Sequence, residues 1–121
     1  MDRELKGEVR ELITGLLEMQ KLIRAEGEAS EECFDGLSGL RDSLESVRDD
    51  AENALNDLPE QKKYSTFGET LEEEISVMED TMDLLDEGLA LREEDGDISR
   101  DLLDILYEAA EMLNDISRPA G

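Results

Sequence analysis

The sequence predicts an all-α protein, and three observations support that prediction. Apolar residues recur at alternating steps of three and four through most of the 121-residue chain, which is the spacing of one helical face. No segment shows the strict apolar–polar alternation of a half-buried strand. Aromatic residues make up only 3% of the chain, so the core must consist of aliphatic side chains, which suit helices packed side by side.

Four helices are expected, over residues approximately 3–25, 31–57, 67–91 and 98–117. Each of them follows one apolar line with helical spacing. The lines are Leu5, Val9, Leu12, Leu16, Met19 and Ile23 in the first helix; Leu37, Leu40, Leu44, Val47, Ala51, Ala54 and Leu58 in the second; Leu71, Ile75, Met78, Met82, Leu85 and Leu89 in the third; and Ile98, Leu102, Ile105, Ala109, Met112 and Ile116 in the fourth.

The first two helices are separated by the segment AEGEAS. Ser30 is the expected N-cap of the second helix, because a serine oxygen can accept a hydrogen bond from the free backbone N–H groups of the first turn. Pro59 follows Leu58 and is expected to end that helix, since proline cannot continue it.

The third helix is expected to begin with a capping box formed by Thr66 and Glu69. Asp97 is the expected cap of the fourth helix. Arg118 and Pro119 are expected to close the fourth helix, with a base in the last turn and then a residue that stops it.

The width of the apolar faces predicts how the helices assemble. The first and fourth helices carry further apolar residues beside their main lines, including Leu17 and Leu106, so each face is wide enough to contact two neighbours. Short connections favour antiparallel neighbours. We therefore expect a single domain, an antiparallel up-down four-helix bundle. The alternative is two-helix hairpins that complete a bundle by dimerisation.

The charge of the chain restricts its partners. Against 35 acidic residues there are 12 basic ones, and the net charge is −23. Such a chain is poorly suited to direct binding of nucleic acid or of an anionic membrane. A protein partner with a basic surface is the expected kind of partner. Solubility or adaptation to a high-salt cytoplasm explains the same acidity without any partner.

A cytoplasmic protein is expected from the remaining composition. The chain shows no signal peptide and no apolar run long enough to span a membrane. Its single cysteine, Cys33, permits no intramolecular disulfide and is expected to be a small buried or edge residue.

The sequence contains no histidine. The chain therefore cannot use an imidazole as a base, a serine–histidine or cysteine–histidine nucleophile pair, or a histidine-ligated metal. On a helical wheel the acids of the third and fourth helices project away from the apolar faces: Glu69, Glu72, Glu73, Asp80, Asp83 and Glu87, then Asp101, Asp104, Glu108, Glu111 and Asp115. We therefore expect no enzymatic activity and no catalytic, cofactor-binding or metal-binding residues.

Two acidic pairs keep a magnesium-dependent activity as a lower alternative. The pairs Glu69-x-x-Glu72 and Glu108-x-x-Glu111 resemble the E-x-x-E and E-x-x-D pairs of all-α nucleotide pyrophosphatases, which hold magnesium with carboxylates alone. The second pair departs from that pattern because it ends in Glu, and both pairs are expected to face outward.

Glu74 is the acid expected to lie closest to the core. It falls inside the apolar arc of the third helix, three residues after Leu71 and four before Met78. We expect a semi-buried carboxylate. Either its tip reaches water at the edge of the core, or it is buried against an arginine of a neighbouring helix or exposed at an oligomer interface.

The segment QKKYSTF brings bases and aromatic residues together. Lys62, Lys63, Tyr64 and Phe67 lie before the third helix, and the two aromatic rings are expected to close the end of the bundle. The functional alternative is that these four residues are candidate contacts for a partner protein, since tyrosine is enriched at interfaces.

Negative charge is concentrated in the middle of the chain. Residues 1–26 carry a net charge of −1, residues 27–58 carry −8 and residues 69–97 carry −12. If the middle two helices are neighbours, they present about one charge per 2 Å of axis, close to the spacing of roughly 1.7 Å in duplex DNA.

These observations favour a non-catalytic acidic helical-bundle protein that acts through protein–protein interaction, as an adaptor or an oligomerisation module. A homodimer formed through the nearly neutral first helix fits that function. The alternative is an acidic DNA mimic that blocks a basic nucleic-acid-binding protein. Neither function requires a cofactor.

Overall fold

The computed structural model describes residues 3–94 and 96–117, which contain helices and no strand. The long helices are α1 (Arg3–Glu26), α2 (Glu31–Asp57), α4 (Thr66–Ala90) and α5 (Ser99–Ser117). A short helix, α3 (Glu60–Lys63), precedes α4, and a 3₁₀ turn (Leu91–Glu93) follows it. The predicted all-α class is confirmed. None of the described helices is both long and apolar enough to cross a membrane.

The turn between α1 and α2 follows the expected residue chemistry. Gly27 has a positive φ of 78°, and its N–H donates to the carbonyl of Ile23, 2.8 Å away, which ends α1. The hydroxyl oxygen of Ser30 accepts a hydrogen bond of 3.3 Å from the backbone N–H of Cys33. The prediction that Ser30 caps α2 is therefore confirmed.

The predicted capping box at the start of α4 is wrong. The N-cap is Ser65, and Thr66 is already the first helical residue. The Ser65 hydroxyl makes no cap hydrogen bond; it donates to the carbonyl of Lys62 at the end of α3. The physical reason is that α3 ends directly before α4, so the hydroxyl at the N-cap position bonds to the last turn of α3 instead of the first turn of α4.

The start of α5 is held by two hydrogen bonds at Ser99. Its N–H donates to the carboxylate of Asp97, 3.1 Å away, so Asp97 acts as the expected cap. Its hydroxyl accepts from the N–H of Ala29 at 3.0 Å, which links this helix to the turn between α1 and α2. The predicted closing residues Arg118 and Pro119 lie outside the described residues.

Each long helix packs against two others: α1 contacts α2 and α5, while α4 contacts α2 and α5. The enclosed core is almost entirely aliphatic. Its largest fully buried side chains are Leu16, Ile23, Leu37, Leu44, Leu71, Met78, Leu85, Leu102, Leu106 and Leu113.

One predicted core position in α1 is corrected by the structure. Gln20 is buried, whereas Met19, which was assigned to the apolar line, is only half-buried. The Met19 side chain instead lies over the backbone of Gly36 on α2, where there is no room for a Cβ atom.

Candidate functional site

The acids of α4 and α5 that were predicted to project outward are all exposed. They include the two pairs that resemble a pyrophosphatase magnesium site, Glu69 with Glu72 and Glu108 with Glu111. Within residues 3–94 and 96–117, no three acidic or cysteine side chains form a group that could hold a metal ion.

Glu74 lies on the side of α4 that faces the core, and only 6% of its surface is exposed. It lines a cavity of about 270 Å³ together with Lys6 of α1 and Asp115 of α5. The expected arginine of a neighbouring helix does not line this cavity; the cation there is a lysine. The structure therefore places Glu74 where three of the long helices meet.

The segment that joins α3 to α4 is mostly exposed. Lys62 and Lys63 form the last residues of α3, and Tyr64 follows with 79% of its surface exposed. Phe67, in the first turn of α4, is 50% exposed. The expectation that these rings close the end of the core is therefore wrong for Tyr64, while the role of the loop as a partner contact stays a prediction.

A larger acidic surface lies where α2 packs against α4. Seven carboxylates on these two helices lie within 4.0 Å of three arginines, and Glu72 and Asp83 extend the row on α4 at helical spacing from Glu79. We call this set the acidic surface: Glu31, Asp35, Asp42, Glu45, Asp49, Glu72, Glu79, Asp83 and Asp86, with Arg41, Arg48 and Arg92.

Two of the arginines connect α2 to α4. Arg41 donates to Asp86 at 3.1 Å and also to Glu45, four residues further along its own helix. Arg48 pairs with Asp49 at 2.9 Å, and another of its nitrogens lies 3.8 Å from Glu79. The two arginines are seven residues apart, as are Glu79 and Asp86, so the contact repeats after about 10.5 Å of helix.

Arg92 connects the end of α4 to the start of α2. Its guanidinium donates to Glu31 and lies 3.5 Å from Asp35. The hydrogen bond from Arg92 lowers the pKa of Glu31. The guanidinium carbon also lies 5.9 Å from the centre of the Phe34 ring, which is within the range of a cation–π contact. This arginine joins the two acidic helices at a third point.

The same electrostatics act on the central arginine. The hydrogen bond to Asp86 raises the pKa of Arg41, against the opposing effect of partial burial. Each arginine is shared by at least two carboxylates, so the acidic surface keeps an excess of negative charge. It is therefore an extended anionic surface with a small number of fixed cations along its centre.

Charge sums over whole segments do not reveal the three arginines. The available signal was the seven-residue spacing of Arg41 and Arg48, which places both on the same side of α2 as Leu37 and Leu44. That spacing is matched on α4 by Glu79 and Asp86.

Comparison of the chain with models of known protein families, with curated proteins and with solved structures finds no match.

Proposed function

We propose that the chain is a non-catalytic helical-bundle protein that acts by binding another protein, and that its acidic surface receives a basic surface of that partner. The observation that carries the proposal is the arrangement of nine carboxylates and three shared arginines across α2 and α4. Complementary charge on two surfaces raises the association rate of the two proteins and disfavours partners whose charge has the same sign.

The proposed architecture is an antiparallel up-down four-helix bundle. Residue numbers rise along one helix as they fall along its neighbour at several contacts, which supports it. Arg41 pairs with Asp86 and Arg48 with Glu79 between α2 and α4. Between α4 and α5, Gly88 lies beside Ile105, and the Thr81 hydroxyl lies 3.9 Å from the sulfur of Met112.

The ion pairs of the acidic surface favour a recognition function over a purely solubilising one. Arg41 and Arg48 are half-buried, and each contacts carboxylates of both α2 and α4, which gives these carboxylates defined relative positions. Carboxylates that serve only to keep a protein soluble need no such fixed arrangement. A fixed set of charges loses less conformational entropy when a partner binds.

The test uses two variants with equal loss of charge. One carries D42N, D49N, E79Q and D83N in the acidic surface, and the control carries E11Q, E18Q, D101N and E108Q elsewhere on the exposed surface. Affinity is measured by titration calorimetry against a panel of basic proteins at several salt concentrations. The first variant is expected to lose about tenfold in affinity, and the control much less. Equal loss in both variants would contradict the proposal.

A DNA mimic is the second candidate, and the observation that favours it is that the two most acidic helices are direct neighbours. The same calorimetric panel distinguishes the two functions. A mimic binds only those basic proteins that have a nucleic-acid-binding cleft, and duplex DNA displaces it. A general protein-binding function predicts that duplex DNA leaves the complex with at least one basic protein intact.

A further inference from the structure

The five bases of α1 lie on one side of that helix. In α1, bases and apolar residues alternate in steps of three and four, so they lie in one row along the helix. Beside it on α5 lies a shorter row with a single base, and the exposed acids Asp104 and Glu111 border that row on the side away from Leu103. We call the two rows together the basic face: Arg3, Lys6, Arg10, Ile13, Leu17, Lys21 and Arg24 of α1, and Arg100, Leu103 and Tyr107 of α5.

The acids of α1 lie on the opposite side of that helix. Glu8 and Glu11 line a groove with Leu40 and Ser43 of α2. The near-zero net charge of α1 therefore results from two separate rows of opposite sign. Two copies that met through the basic face would bring cations against cations, so self-association through the first helix, which stays a prediction, would need another side of α1.

The contacts of α5 show that its row borders α1. Ile105 lies beside Gly88, and Met112 lies beside Thr81, so this side of α5 faces α4. Leu103 and Tyr107 each project roughly 160° away from Ile105, and roughly 180° and 140° away from Met112, at about 100° per residue. At the end of α5, ten residues beyond Tyr107, the carbonyl of Ser117 accepts a hydrogen bond of 3.1 Å from Arg10 of α1.

The centre of the basic face exposes apolar surface. Leu17 is 45% exposed and Tyr107 is 57% exposed, and Ile13 and Leu103 are half-buried beside them. Bases lie toward both ends of the α1 row. An apolar centre within a charged rim, with tyrosine and arginine present, is the usual composition of a protein interface.

Several cations of the basic face are not used within the fold. Lys21, Arg24 and Arg100 are exposed, and none of them forms an ion pair with any residue in the described part of the chain. Arg41, Arg48 and Arg92 on the acidic side each pair with two or more carboxylates. The difference leaves the basic face available to external carboxylates.

We propose that the basic face binds an acidic amphipathic helix of another protein, with the apolar side of that helix on Leu17 and Tyr107 and its carboxylates on the flanking bases. The α1 row runs from Arg3 to Arg24, about 32 Å, which matches roughly six turns of a partner helix. This surface is distinct from the acidic surface, so the protein is expected to have two faces that select partners of opposite charge.

A protein helix fits this face better than a nucleic acid does. The apolar centre offers nothing to phosphate groups, and the net charge of −23 opposes binding of a polyanion that carries charge along its whole length. A helix that presents a few carboxylates at its two ends and apolar residues between them matches the arrangement on the face.

The test uses a fluorescent helical peptide of about 22 residues with Glu toward both ends and Leu at i, i+3, i+4 and i+7 in its centre. Its affinity is measured by fluorescence anisotropy with four double variants. L17S/Y107S and K21Q/R24Q change the basic face. Y64S/F67S and K62Q/K63Q make the same kinds of change at the other candidate partner contact, the end of α3 and the start of α4, so they distinguish binding at the basic face from binding there.

Each basic-face variant is expected to weaken peptide binding about tenfold or more, while the controls change it little. A peptide of the same composition in scrambled order is expected to bind much more weakly. Equal binding of both peptides, or equal loss in face and control variants, would overturn the proposal. Tighter binding of a labelled single-stranded oligonucleotide than of the peptide would also overturn it, as would sedimentation that shows a dimer dissociated by K21Q/R24Q.

None of these results depends on the acidic surface, so the two proposals can fail separately.

Discussion

At the scale of single residues, Gln20 brings a polar amide into an aliphatic core. The residue is 4% exposed, and its Nε2 atom is buried without a hydrogen-bond partner in the part of the chain that the structure describes. Leu16 and Ile23 on either side of it in α1 are fully buried. An amide donor that loses water and gains no partner destabilises the folded state.

Replacing Gln20 with Leu is expected to raise the free energy of unfolding by about 1–2 kcal/mol, because the buried donor disappears and the side-chain volume changes little. Urea denaturation followed by circular dichroism measures the change. Q61L is the matched control, since Gln61 is exposed on α3 and its replacement should leave stability nearly unchanged. A Q20L variant less stable than the parent would show that the amide has a partner in solution.

The same residue shows a limit of sequence prediction. Between Leu16 and Ile23, both Met19 and Gln20 satisfy the spacing of three and four, so periodicity alone permits either residue in the core. Hydrophobicity favours Met19, but the helix packs so that Gln20 is enclosed. The choice depends on the positions of neighbouring helices, which the local sequence does not contain.

At the scale of elements, α3 packs directly against the start of α4 at Gly68. A Cβ atom on Gly68 would lie 2.6 Å from the carbonyl oxygen of Lys62 and closer still to that of Lys63. These atoms belong to the backbone, so they cannot move away without displacing α3. The missing side chain of Gly68 is therefore what allows the short helix to fold back on α4.

Replacing Gly68 with Ala is expected to lower the free energy of unfolding by about 1–3 kcal/mol and to detach α3. Hydrogen exchange at the amide of Lys63, which donates to the carbonyl of Pro59, reports that detachment. G39A is the control, because nothing lies near a Cβ at Gly39 and alanine should stabilise α2 by about 1 kcal/mol. Unchanged exchange and stability in G68A would show that α3 does not pack on Gly68 in solution.

The long elements were predictable and the short one was not. Each of α1, α2, α4 and α5 contains several turns of apolar periodicity, and Ser30 and Asp97 mark two of their starts with a recognisable cap. The four residues of α3 contain no period to detect. Next to α3, the N-cap of α4 is Ser65 and not Thr66. Serine and threonine both serve as N-caps, so residue type alone does not distinguish these two neighbouring positions.

At the scale of the whole molecule, charge is divided between two sides. The acidic surface lies on α2 and α4, and the basic face lies on α1 and α5. Segment sums predicted the first side because residues 27–58 and 69–97 are acidic throughout. The same sums did not predict the basic face. The charges of Glu18 and Arg24, for example, cancel in a sum although the two residues lie on different sides of α1. Only the packing of α1 against α5 brings the bases together with Tyr107.

Added salt is expected to stabilise the fold. The net charge of −23 produces self-repulsion that acts over about 30 Å at 0.01 M salt and about 3 Å at 1 M. The melting temperature measured by calorimetry should therefore rise with sodium chloride. The rise should be smaller in the D42N/D49N/E79Q/D83N variant, which carries four fewer negative charges. A melting temperature that falls with salt would show that the ion pairs of Arg41, Arg48 and Arg92 outweigh the repulsion.

The buried Cys33 gives the chain a built-in reporter of its own motion. This is the one thiol in the sequence, and it lies under the first turn of α2 where Ser30 caps the helix. Its side chain is 2% exposed at the bottom of a groove between α1 and α2, so modification by a thiol reagent is expected to require local opening there. The rate of modification, divided by the rate for an unstructured cysteine peptide, therefore measures the opening equilibrium at this end of the molecule without any engineered label.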